Sequence, residues 1–165
     1  MKNGSPTIES VPAHVRPINF AGIELLLDLL YYVRAFYGDV DLETLLILLC
    51  VSDATMRPFM LDPEQAQTVM QLPKPPDEVR GSISRRAIAD KTGLPRETVR
   101  RRVLELAEKG LVIVSTDERV RISHGLTDPR AWKSAEQAHL AVLRYLARLT
   151  QLGLEPHKVT SSFSG

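Results

Sequence analysis

From Phe20 to Val33, apolar residues fill most of a helical circumference, at Phe20, Ile23, Leu26, Leu27, Leu30, Tyr31 and Val33. The pattern predicts a helix from Asn19, a good N-cap, to Tyr37, with Gly38 as its stop. A helix apolar nearly all round is buried on more than one side, and in a chain this small another subunit can cover the second side. A second helix is expected from the Asp41 cap to Ser52, with Leu42, Leu45, Leu46 and Leu49 as its core stripe. The stretch from Asp53 to Arg80 carries prolines at 58, 63, 73, 75 and 76 and is expected to be irregular. Within it, Asp62-Pro63 is a cap and first-turn pair for a short helix reaching Leu72. Pro73-Lys74-Pro75-Pro76 fits neither helix nor central strand and reads as a semi-rigid linker. Residues 1–18 and 154–165 show no periodicity and are expected to be a disordered arm and a flexible tail.

The pattern tightens after the linker. Ser84 can cap a helix over Arg85–Lys91, with Ala87 and Ile88 inward. Gly93 suits the left-handed turn that ends it. Pro95 is preset for the first turn of a new helix, which runs to Lys109 with Val99, Val103 and Leu106 on one face. Gly110 closes it. Leu111–Ser115 is then rich in β-formers, Thr116–Glu118 is a polar turn, and Arg119–Ile122 alternates charged and apolar residues. That is a β-hairpin with one packed face, and Gly81–Ile83 can add a third strand along its edge. Helix, short glycine turn, helix and hairpin in this order make a winged helix-turn-helix over residues 76–124.

A last helix is expected from Asp128-Pro129 to Leu152. Trp132, Ala135, His139, Val142, Leu146 and Leu149 are spaced as an a/d seam, widened by Leu140, Leu143 and Tyr145. Two readings of this seam stay open: packing on the first two helices, or pairing with the long first helix of a second copy. His139 is expected to be a tolerated core histidine. The predicted fold class is mostly α with a small β-wing, a winged helix-turn-helix flanked by N- and C-terminal helices. Residues 19–75 form helices and linker for the core and dimerisation, and 128–153 form a packing and dimerisation helix.

The stretch Ile83–Val112 resembles the winged helix-turn-helix families of bacterial transcriptional regulators, among them the MarR, IclR, GntR and Crp groups. The resemblance is carried by Ala89, Gly93, Leu94, Arg96–Val99 and Glu108–Val112. Arg102 departs from it, standing where these families often have an apolar residue. Val103 can take over the packing there, or Arg102 can reach out to the surface. The resemblance implies that Pro95–Lys109 is a recognition helix lying in the major groove of double-stranded DNA. Helical periodicity agrees, since it leaves Arg96, Glu97, Arg100 and Arg101 outward and Thr98 at the margin. Arg96, Arg100 and Thr98 are expected at or near base edges, because the arginine fork matches the two acceptors of guanine. Arg101, Arg85 and Arg86 are expected on phosphates, and Arg119 and Arg121 on an adjacent groove or backbone. Glu97 can accept from cytosine or orient a neighbouring arginine.

The charge distribution supports this face. The net charge is only +1. Between Arg80 and Arg102, however, eight basic residues meet two acidic ones, a local balance of +6. Length and composition fit one ordinary globular domain, and aromatics at 5% favour helix packing over a β-sandwich. A lone cysteine, Cys50, excludes a disulfide framework or zinc cluster; it reads as a small buried hydrophobe in a protein of a reducing cytoplasm. There is no export signal, and Asp28, Arg34, Asp39, Asp41 and Glu43 break up the most apolar region, so a soluble protein without a membrane partner is expected. No phosphate loop, nucleophile motif or metal-spaced histidine set occurs, so neither an enzyme nor a cofactor is expected. The expected function is sequence-specific regulation of transcription by a homodimer. A protein-interaction module without DNA binding is one alternative. A regulator gated by an unknown small-molecule effector is another.

Overall fold

A computed structural model describes residues 11–38, 40–123 and 127–154. The elements are α1 (Val15–Tyr37), α2 (Leu42–Met60), α3 (Pro63–Val69), β1 (Ile83–Ser84), α4 (Arg85–Thr92), α5 (Arg96–Glu108), β2 (Val112–Val114), β3 (Arg119–Ile122) and α6 (Pro129–Gln151). The chain is thus mostly helical with a three-stranded antiparallel sheet, in the order β1-β3-β2. It divides into two compact units: residues 37–132, and the paired terminal segments up to 36 and from 133.

In the unit 37–132, the Asp41 carboxylate caps α2 by accepting from Thr44 N at 2.8 Å. Ile47, Leu48 and Val51 of α2 form one core with Ile88 of α4, Val99, Val103 and Leu106 of α5, and Val120 of β3. The expected α2 core stripe is corrected. Leu45 is buried, but Leu42, Leu46 and Leu49 lie on the outer side. The helix is apolar on two faces, and the wing packs on the one that carries the β-branched Ile47 and Val51. Leu42, Leu46, Leu49, Met56 and Met60 form an exposed stripe on the other.

A second correction concerns the length of α2, which continues eight residues past Ser52 and through Pro58. Proline in the last turn removes one N–H, and the start of the wing docks against the neighbouring carbonyl: Gly81 N donates to Thr55 O at 3.0 Å. A Cβ on Gly81 would overlap Ala54 O, so only glycine allows this approach. Thr55 extends the junction, its hydroxyl donating to Val51 O and accepting from Ile122 N of β3. The short helix begins at the Asp62 cap as expected and ends at Val69, three residues early.

The helix-turn-helix is built from local signals. Ser84 Oγ accepts from Ala87 N to cap α4, and Gly93 ends it at φ 73°. Gly110, at φ 70°, turns the chain from α5 into the wing. Val112, Ile113 and Val114 pair with Ile122, Arg121 and Val120. Ile83 and Ser84 pair with Val120 and Arg119, so the third strand begins two residues later than expected and ends one residue later. His124, the expected end of this region, lies outside the described residues, as do 1–10 and 155–165 of the expected arm and tail.

In the unit of the paired termini, α1 begins at Val15, so residues 15–18 of the expected arm are helical. Pro17 falls in the first turn, where a missing N–H is tolerated. Helices α1 and α6 run antiparallel. Ser134 Oγ donates to Tyr32 O, Arg144 pairs with Asp28 at 2.7 Å, and Arg148 pairs with Glu24 at 2.9 Å. Ala21, Ala141 and Leu149 are the residues of this unit that are fully buried among those described. The α6 seam expected from the sequence is mostly not covered. Ala135, His139, Val142 and Leu146 are exposed, and His139 is therefore no core residue within the single chain. Ala141, outside the expected seam, is buried instead.

Candidate nucleic-acid interface

Val99 and Val103 of α5 are completely buried, and Leu106 lies one turn further along the same face. Their burial fixes the helix's rotation. Arg96, Glu97, Arg100 and Arg101 consequently face solvent, and Thr98 sits half-buried at the margin. Among the described residues, Arg96 has no hydrogen-bond or ion-pair partner, and it stands at the first position of the helix.

The other arginines of α5 have carboxylate partners. Arg100 donates from Nε and Nη2 to both oxygens of Glu97, at 2.7–3.1 Å. This hydrogen bonding holds the Glu97 carboxyl below its usual range and raises the Arg100 pKa. Both groups are exposed, so the pair is weakened by water and salt and can reopen. Arg101 pairs with Glu105 at 3.0 Å. Arg102 turns the other way, into a set of three carboxylates: Asp41, Glu43 at 3.6 Å and Glu105 at 3.4 Å. Burial alone would lower its pKa, but the three carboxylates outweigh burial and the net shift is upward. Val103 takes the packing position that the regulator-like pattern gives to residue 102.

The remaining basic residues divide in the same way. Arg86 is exposed at the first turn of α4, with Asp90 at 3.9 Å. Arg85 is half-buried beneath the wing turn, 3.9 Å from Glu118. Arg119 of β3 donates from Nε to Ser82 Oγ at 2.8 Å, and its charge adds to the Ser115 hydrogen bond in holding the nearby Asp117 carboxyl below its usual range. Arg121 pairs with Asp77 at 2.9 Å. Arg80, counted in the basic block, is not on the surface at all: its side chain is 2% exposed. It donates to Asp77 Oδ1 at 3.0 Å and to Ile122 O, joining the linker to the end of the wing. Asp77 is held below the usual carboxylate range chiefly by the hydrogen bond from Arg80. No local sequence pattern points to Asp77, because its partners lie as far as 44 residues away.

The basic face is therefore narrower than the +6 count implies. Arg96, Arg100 and Arg101 line the outer side of α5, Arg86 stands at the start of α4, and Arg119 stands on the wing. A family model described as winged helix-turn-helix DNA-binding matches residues 79–113. The match spans the lead-in to β1, both helices and the first hairpin strand, and it supports a DNA-binding winged helix in this chain. No curated protein and no solved structure matches the chain. Among the described residues no single helix is long and apolar enough to cross a membrane.

Proposed function

We propose that this chain is a cytoplasmic, sequence-specific regulator of transcription that binds double-stranded DNA as a homodimer, with α5 in the major groove. The observation that carries the proposal is the two-sidedness of α5: Val99, Val103 and Leu106 locked in the core, and Arg96, Arg100 and Arg101 projected from the opposite side. A helix held this way presents its N-terminal residues to base edges. Arg96, Thr98 and Arg100 read bases in this proposal, while Arg101, Arg85 and Arg86 hold phosphates. Arg119 reaches the backbone or minor groove from the wing, and Arg121 joins it only when its pair with Asp77 opens. A twofold pair of such helices reads two half-sites one helical turn apart.

Fluorescence anisotropy with mixed-sequence duplex across a salt series tests this. Each phosphate contact steepens the log–log slope by about 0.9, so a dimer with several contacts gives a slope of several units. Neutralising Arg96, Arg100 and Arg101 should flatten it. No binding at low salt would instead favour a protein-interaction module.

An effector-gated regulator is the second reading, and one observation favours it. A shallow groove of about 530 Å³ lies between α2, β1 and α4, floored by Pro58, Ile83 and Ala87, with Arg57 and Lys91 at its rim. Both cations reach Asp53, at 2.7 and 3.7 Å. A carboxylate with an apolar body fits that chemistry where it takes the place of Asp53 on the two cations and stays clear of Asp62, which also lines the groove. A panel of such acids should raise the melting temperature of the wild type and not of Lys91→Ala; no shift across the panel would remove this reading.

A further inference from the structure

We propose that the outer face of the α1–α6 hairpin is the surface on which a second copy of this chain docks, making a four-helix bundle. The inference deepens the dimeric reading above and rests on it.

Between Phe20 and Val33 the charged residues are Glu24 and Asp28, and between His139 and Gln151 they are Arg144 and Arg148. All four are used within the hairpin. Arg148 grips both oxygens of Glu24, at 2.9 and 3.2 Å, and Arg144 reaches Asp28 and the Tyr32 hydroxyl. These bonds define one edge of the hairpin. Residues two apart on a helix point about 200° apart. Leu26 is two residues before Asp28, and Val142 and Leu146 flank Arg144 by two, so all three lie on the side away from that edge. Ile23, Leu27 and His139 extend the same side by helical spacing.

That side is open. Leu26 is 57% and Leu27 62% exposed, and Ile23, Val142 and Leu146 are exposed as well. By area, the six side chains present roughly 500 Å², and Leu143 at the margin brings this to roughly 600 Å², the lower end of the share one partner contributes to a standard interface. A monomer rarely leaves so large an apolar area in water. The second copy is the occupant that these features select. The face carries no fixed charge, so a copy of itself meets no like charge in an isologous contact. Two antiparallel helices that fully bury only Ala21, Ala141 and Leu149 among the described residues lack a second layer, and two hairpins supply one to each other.

Sedimentation equilibrium of the full chain should give twice 18.4 kDa for the wild type. The Leu26→Glu/Val142→Glu variant should fall to the monomer mass with its helical circular dichroism retained. Should that variant fail to fold, cysteine pairing decides. In a Cys50→Ser chain, Leu26→Cys, His139→Cys and Val142→Cys are introduced singly, and at least one should oxidise to a covalent dimer while Leu46→Cys on α2 does not. A folded double variant that stays dimeric, or a dimer that cross-links through α2 alone, overturns the hairpin surface and leaves the dimeric reading standing. A monomeric wild type that still binds duplex DNA overturns both of these and leaves DNA binding standing.

Discussion

Arg102 fastens α5 to the start of α2, and its neighbours on the same helix do the opposite. Its guanidinium is shared by Asp41, Glu43 and Glu105, while Arg96 has no partner among the described residues and points into solvent. The two therefore respond differently to substitution. Arg96→Ala should leave the melting temperature within a degree of wild type yet cost about 1–3 kcal/mol of binding at a cognate site, with discrimination at one base pair relaxed. Equal affinity loss across all sequences would assign Arg96 to phosphate instead. Glu97 competes with DNA for Arg100. Glu97→Gln should raise affinity for mixed-sequence duplex and steepen the salt slope, by up to about 0.9 if Arg100 gains a phosphate. An unchanged slope would show that Arg100 gains no phosphate, and unchanged affinity at every sequence as well would show that it is not at the interface. Asp41 reports on the Arg102 clamp through pH. Its carboxyl is lowered chiefly by the backbone hydrogen bond from Thr44, and Arg102 adds to the effect. A carboxyl lower in the folded than in the unfolded chain contributes stability that is complete above the unfolded value of about 3.9 and is lost as pH falls through the folded value. Asp41→Asn keeps a good helix cap but cannot titrate. It should flatten part of the acid limb of a urea-midpoint-against-pH curve, and a limb of unchanged steepness would mean that other carboxylates dominate it.

Two glycines separate what an element requires locally from what its neighbours impose. Gly93 ends α4 at φ 73°, and a Cβ there would meet nothing within 4 Å, so Gly93→Ala should cost about 1–2 kcal/mol of conformational strain alone. Gly81 has no such φ, but its Cβ would collide with Ala54 O and Pro58 Cγ. Gly81→Ala should therefore be the more damaging, by about 3 kcal/mol in chemical denaturation, because two backbones must part. A smaller loss at 81 than at 93 would mean that the α2–β1 junction yields easily. The same contrast explains what was legible in the sequence. Ser84, Gly93, Pro95 and Gly110 act through their own backbone, so α4 and α5 start and end within a residue or so of expectation. The facing and length of α2 depend on which of its two apolar sides meets the wing, and on Gly81, some twenty residues beyond Pro58. No periodicity along α2 carries that information. For the candidate interface, the outward positions of α5 followed from its spacing. The loss of Arg80 to the interior and of Arg121 to Asp77 did not, because both depend on pairings between distant segments.

The two units differ in what holds them together, and this has a thermodynamic consequence. Residues 37–132 enclose a core of their own, from Ile47 and Val51 through Val99 and Val103 to Val120 and Ile122. The α1–α6 hairpin depends on ion pairs at one edge and three small or medium buried side chains, with its leucines in water. If a second copy covers those leucines, folding of the hairpin is linked to association. A hundredfold rise in chain concentration then stabilises the dimer by about 2.7 kcal/mol. Calorimetry should accordingly show a transition that moves up by a few degrees with concentration and a second, from the 37–132 core, that does not. The Leu26→Glu/Val142→Glu variant should lose the concentration dependence and keep the second transition in place. One concentration-independent transition for the wild type would mean that the hairpin stands without a partner, and that its exposed leucines serve some purpose other than holding two copies together. Two transitions that both move with concentration would extend the interface to α2, whose outer stripe from Leu42 to Met60 is the other apolar surface open to a second copy.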